Sequence, residues 1–133
     1  MDAAWEEAIT CGDMRKTRAL LAQGADVNSR DRHGQTALML AAHAGHRKVV
    51  ETLVAHRADL NVTAKFGLSA LMLAIVAGHE QIALLLAQAG ADLSLRGSGA
   101  PGFADKTAYD LAVERNMQAL SKLLAPKRAQ PGA

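Results

Sequence analysis

The chain has 133 residues, half of them apolar but only 3% aromatic, with 15 Lys and Arg against 13 Asp and Glu and a net charge of +2. That length predicts one domain burying about two-thirds of its unfolded surface, around a core of Ala, Leu, Val, Ile and Met. The balanced charge carries no strong nucleic-acid or membrane signal. The single cysteine, Cys11, excludes an intrachain disulfide and suits a reducing compartment, and no apolar run approaches the roughly 18 residues of a bilayer span.

In chain order, the opening MDAAWEEAIT is acidic and lacks the basic-then-apolar stretch of a signal peptide, so a cytoplasmic chain is expected. Residues 36–46, TALMLAAHAGH, then return at 69–79 as SALMLAIVAGH. The step is 33 residues, and it also relates Gly34 to Gly67 and Asp59 to Asp92. Taken backwards, it sets Gly12 under Gly45, Leu20 under Leu53, Asp26 under Asp59 and Asn28 under Asn61. A fixed period of this size marks an array of stacked repeats. A fourth unit, KTAYDLAVERNMQALSKLL, falls into register after five extra residues within RGSGAPGFADK.

Each unit predicts two short helices and an extended arm. Thr36, Ser69 and Thr107 supply hydroxyl N-caps for the first helices, and Leu38, Ala41 and Ala42 give an apolar face with small residues for close approach. Gly45 and Gly78 break these helices; Asn116 takes that place in the fourth unit, because Asn also visits left-handed dihedrals. The second helices carry buried stripes, Val49, Val50, Leu53 and Val54, then Ile82, Ala83, Leu86 and Ala87. Gly24 and Gly90 suit left-handed stops. Arg57 stands where they stand, so a left-handed stop there would cost roughly 1 kcal/mol of strain.

The ends read as polar caps. Lys16-Thr17 replaces Val49-Val50 in the first unit and Ser121 accompanies Leu120 in the last, as terminal repeats require. A self-standing four-repeat array over residues 1–125 is expected, with units at about 1–30, 31–63, 64–96 and 97–125. The tail PKRAQPGA, 126–133, is expected to be disordered.

These residues carry a resemblance. Gly34-Gln35-Thr36-Ala37-Leu38 with Ala41-Ala42, Gly45-His46, Leu53 and Ala58-Asp59-Leu60-Asn61 resembles the ankyrin repeat, over roughly residues 4–125. The resemblance implies an all-α solenoid of stacked antiparallel helix pairs with β-hairpin-like fingers, binding a partner protein along a concave groove. One departure stands out. Where the family has Thr-Pro-Leu-His, this chain has Thr36-Ala-Leu-Met39, Ser69-Ala-Leu-Met72 and Thr107-Ala-Tyr-Asp110, losing a preset helix start and a side-chain hydrogen bond.

No constellation for chemistry emerges. His43 and His46 lie three apart, as metal ligands can, but His46 and His79 hold the family's structural Gly-His position, and no metal or other cofactor is expected. Cys11 reads as a small, partly buried thiol beside a turn, and GSGAPG lacks the Lys-Ser/Thr of a phosphate loop. Asn28 and Asn61, each with a Leu eight residues before and an Asp two before, look like substrates of an asparaginyl hydroxylase. The favoured reading is that Asp and Asn tie down the loop backbone.

The groove positions implied by the resemblance are Arg32, His33, Gln35, Met39 and His43 in the second unit, and Lys65, Phe66, Leu68, Met72 and Val76 in the third. Arg30 and Arg96 add basic character near the arms, and solvated loop tips or a docking site for an acidic partner both explain it. Nucleic acid is not expected, since no aromatic residues interleave. Phe66, Leu68 and Val76 are apolar where the scaffold does not require it, and Phe103 lies in the insertion next door. Either these residues anchor a partner, or Phe66 and Phe103 pack on each other under the longer loop. The expectation is a monomeric, non-enzymatic adaptor, inhibitor or accessory subunit binding a protein with an acidic and apolar surface. The alternatives are an enzyme-associated, small-ligand or metal-binding role for the groove histidines His33 and His43, and a structural spacer.

Overall fold

A computed structural model describes residues 1–99 and 102–125; the tail expected to be disordered lies outside them. Eight helices follow in antiparallel pairs: α1 (Ala3–Cys11) with α2 (Met14–Ala22), α3 (Ala37–Ala44) with α4 (Arg47–Ala55), α5 (Ala70–Val76) with α6 (Glu80–Gln88), and α7 (Ala108–Glu114) with α8 (Gln118–Leu124). First helices stack on first helices and second on second, so the fold is an all-α solenoid, as the resemblance implies.

The caps explain where the helices start. Thr36, Ser69 and Thr107 accept the backbone N–H three residues on, as expected. The reciprocal half of each cap survives the loss of the family's histidine. The sulfurs of Met39 and Met72 accept the N–H of Thr36 and Ser69 at 3.4 and 3.5 Å, and the Asp110 carboxylate accepts that of Thr107 at 3.0 Å. The first two bonds are long and weak; the third is charge-assisted.

Burial follows the predicted stripes. Val49, Val50 and Leu53 of α4 and Ile82, Ala83 and Leu86 of α6 are buried, as are Ala41, Ala42, Ala74 and Ile75 between the first helices. The end caps are less uniform than expected. Lys16 is exposed, but Thr17 is fully buried, because its hydroxyl donates to the Asp13 carbonyl at 2.7 Å and needs no water. Cys11 is exposed rather than partly buried, since it ends α1 on the outer side of the turn.

Two hydrogen-bond ladders tie the repeats together. The side-chain oxygens of Asn28 and Asn61 accept the backbone N–H of Asp59 and Asp92, one repeat on, at 2.8 and 2.7 Å. That is the backbone-tethering role expected for these asparagines. His46 Nε2 reaches the Thr10 carbonyl at 2.9 Å, and His79 Nε2 the His43 carbonyl at 3.1 Å; a carbonyl only accepts, so each ring carries its hydrogen on Nε2. These are the structural histidines of the sequence reading.

Candidate functional surface

The arms differ in how they are built. Between α2 and α3, the Asp31 carboxylate accepts the N–H groups of His33 and Gln35 at 2.8 and 2.9 Å, and an isolated antiparallel bridge joins Arg30 to Thr36. This side-chain-stapled turn holds Arg32 and His33 at its exposed tip. The next arm has Ala64 where Asp31 stood. It closes instead by a single 3₁₀ turn over Lys65–Gly67, inside which Phe66 has φ +63°.

A bulky residue in the left-handed region is an outlier, and its surroundings hold it there. The Phe66 carbonyl accepts the Ser98 N–H at 2.7 Å, its ring meets Phe103 at a centroid distance of 5.7 Å and a 39° tilt, and Lys65 Nζ lies 5.0 Å above it. Phe66 and Phe103 therefore form the small aromatic cluster under the longer loop, and both remain half-buried. The loop itself closes through Gly97 N–H to the Lys106 carbonyl and Asp105 N–H to Gly97, each at 2.9 Å.

Not every expected groove residue reaches the surface. Met39 and Met72 are each 1% exposed and Leu68 is 4% exposed. This is a correction: the two methionines point back to cap their helices, and Leu68 turns under the arm into the core, so none offers a side chain to a partner. Gln35 and Val76 are half-buried, while Arg32, His33, His43 and Lys65 are exposed.

The charges divide as well. Arg96 donates to the Asp105 carbonyl at 2.8 Å, and Lys106 pairs with Glu114, which Arg115 also approaches at 3.7 Å. Among the described residues Arg32, His33 and Lys65 make no ion pair, and all three are exposed. Glu6, half-buried, borders a concavity of about 380 Å³ with Met1, Asp31, Arg32 and His33. Thr10, one period before His43, is exposed. A step of 33 residues back from Met39 and His43 leads to these two positions.

Among the described residues no three His, Cys, Asp or Glu gather as a metal site would need, and no helix is long and apolar enough to cross a membrane.

Comparison with known proteins agrees with this geometry. A 50-residue stretch, 38% of the chain, is 46% identical to part of a mitochondrial disaggregase of Homo sapiens, and it spans only 7% of that protein. The family profile described as ankyrin repeats (3 copies) matches residues 5–97, covering α1 to α6, while the fourth pair stacks on beyond it. Matched over most of its length and stacked as that profile requires, the chain belongs to the ankyrin-repeat family.

Proposed function

We propose that the chain is a non-catalytic protein-interaction module that binds a partner along the concave side and arm tips of its second and third repeats. Ankyrin repeats are in general protein-binding modules, and the particular reading here rests on one observation. On a scaffold whose repeated apolar positions are buried, Arg32, His33 and Lys65 stand exposed without ion pairs among the described residues, and Lys65 lies over the half-buried Phe66, which packs on Phe103 and is held in left-handed backbone. Strain maintained by neighbouring contacts is a feature of functional surfaces.

The recognised surface is acidic with an apolar knob. Carboxylates would meet Arg32 and Lys65 at the rim, where charge raises on-rate and selectivity, and the knob would lie on the aromatic pair and Val76. His43, exposed near the end of α3, adds an imidazole that can hydrogen-bond. The role fits an adaptor, inhibitor or accessory subunit in the cytoplasm.

The test is affinity capture from the native organism with the wild-type chain and two variants. Phe66→Asn removes the ring but keeps a residue that tolerates left-handed dihedrals, and Arg32→Glu reverses the rim charge. A protein held by the wild type and lost by both folded variants supports the reading. Capture that ignores both substitutions rejects it.

A further inference from the structure

Arg32 and Lys65 stand one 33-residue period apart, at the same place in the second and third repeats, and both are exposed without an ion pair among the described residues. Their spacing is set by the stack. α3 packs directly on α5, and packed helix axes lie about 10 Å apart. The Asn28 side-chain oxygen accepts the Asp59 N–H at 2.8 Å, so the second helices of these repeats cannot splay and carry the arms apart. The two cations therefore recur at about 10 Å along the arms. The third repeat adds an apolar element that the second lacks: Lys65 Nζ lies 5.0 Å from the centre of the Phe66 ring, which packs on Phe103.

We propose that these arms bind an extended acidic segment of another protein, with two carboxylates three residues apart and an apolar side chain directly after the second. This rests on the interaction surface proposed above and names its ligand. A polyproline-II segment puts residues i and i+3 on one face about 9 Å apart, which matches the two cations. A β-strand puts same-face residues roughly 7 or 13 Å apart, so it meets one cation and misses the other. A helix reaches about 10 Å only between residues seven apart, and more of the partner must then be ordered for the same contacts. With the second carboxylate on Lys65, the next side chain reaches the aromatic pair beside it.

The 133 residues do not contain such a segment. No two of the Asp and Glu residues stand three apart, which excludes a neighbouring copy as the source. The stretch PKRAQPGA at 126–133 carries Lys127 and Arg128 but no acidic side chain. The occupant is a different protein, and complementary charge selects it.

The experiment is fluorescence polarisation of the full chain with a fluorescein-labelled, acetylated peptide, PEPPELP, in which the glutamates are three apart and Leu follows the second. The expected result is saturable binding that weakens about tenfold or more when salt rises from about 50 to about 300 mM. The same-composition peptides PEPELPP and EPPPPEL, with glutamates two and five apart, should bind about tenfold more weakly. Arg32→Gln and Lys65→Gln, both at exposed positions, should each weaken PEPPELP by about fivefold or more with unchanged far-UV circular dichroism. Amide shifts in an NMR titration should centre on Arg32, Lys65, Phe66 and Phe103, a readout that needs no variant. Equal binding of all three peptides overturns the proposal, because charge alone then suffices. Tighter binding of an alanine-rich helical peptide with glutamates seven apart overturns it in favour of a helix. A cellular partner lost by the Arg32 and Phe66 variants while PEPPELP fails to bind removes the extended acidic ligand and leaves the interaction surface standing.

Discussion

Arg57 shows what one residue can cost. It adopts φ +63° at a helix end where Gly24 and Gly90 have φ +93° and +101°, and its side chain is exposed. The left-handed conformation costs a residue with a Cβ roughly 1 kcal/mol, partly offset by the greater freedom glycine has when unfolded. Arg57→Gly should raise the Tm by a few degrees in a thermal melt; an unchanged or lower Tm would mean that the arginine's contacts offset the strain. Phe66 carries the same strain in a richer setting. Its aromatic contact contributes about 0.5–1.5 kcal/mol, close to what the dihedral costs. Phe66→Asn should therefore leave the Tm within a few degrees, whereas Phe66→Val, β-branched and still left-handed, should lower it clearly. Equal melts for the two variants would show that the dihedral is not the dominant effect. Exposed Asp92 has its pKa lowered below the usual 3.8, first by the Ser94 hydroxyl and then by the Ser94 backbone N–H. A lowered folded pKa gives stability that is complete above pH 3.8 and lost as the pH falls through the folded value. Ser94→Ala should raise the Asp92 pKa in an NMR titration and leave stability at pH 7 nearly unchanged.

At the level of elements, glycine and histidine act as a pair across repeats. A Cβ on Gly45 would lie 2.7 Å from the His79 ring, whereas a Cβ on Gly78, at nearly the same φ, would meet nothing. The difference has a cause: the next repeat carries Met117 where a histidine would lean on Gly78. Both Gly→Ala changes incur the left-handed penalty of roughly 1 kcal/mol, but only Gly45→Ala also displaces His79 from the His43 carbonyl. Gly45→Ala should accordingly destabilise by about 1–3 kcal/mol more than Gly78→Ala in urea melts. His79→Ala should remove most of that excess in a double-mutant cycle. If the two glycine variants melt alike, the histidine ladder contributes little.

Across the whole molecule, each helix pair touches mainly its neighbours, so stability accumulates along the stack rather than around one centre. The middle pairs are covered on both sides and bury Val49, Val50, Leu53, Ala74, Ile75 and Leu86. At the N-terminal edge α2 buries only Thr17. Native-state hydrogen exchange should show α3 to α6 opening last and α2 first. Uniform protection across all eight helices would mean one cooperative unit and overturn this picture.

The repeat period, the helix starts at Thr36, Ser69 and Thr107, the left-handed positions at Gly24, Gly90 and Asn116, and the buried stripes were all legible in the residues. Each is a local demand of backbone geometry or helical spacing, and such demands recur every 33 residues in plain sight. The surface was less legible, because pointing inward or outward depends on what packs behind. Leu68 looked like an exposed apolar choice and lies in the core, and Met39 and Met72 curl back to cap their helices. The Phe66–Phe103 contact was one of two readings the residues left open, and the structure shows it. Val113 reads as one more buried position in the repeat, where Ala42 and Ile75 are 0% exposed, yet it is 48% exposed. Burial is a property of the assembled stack, so only the tertiary structure could decide which apolar residues belong to the core and which remain free to meet another molecule.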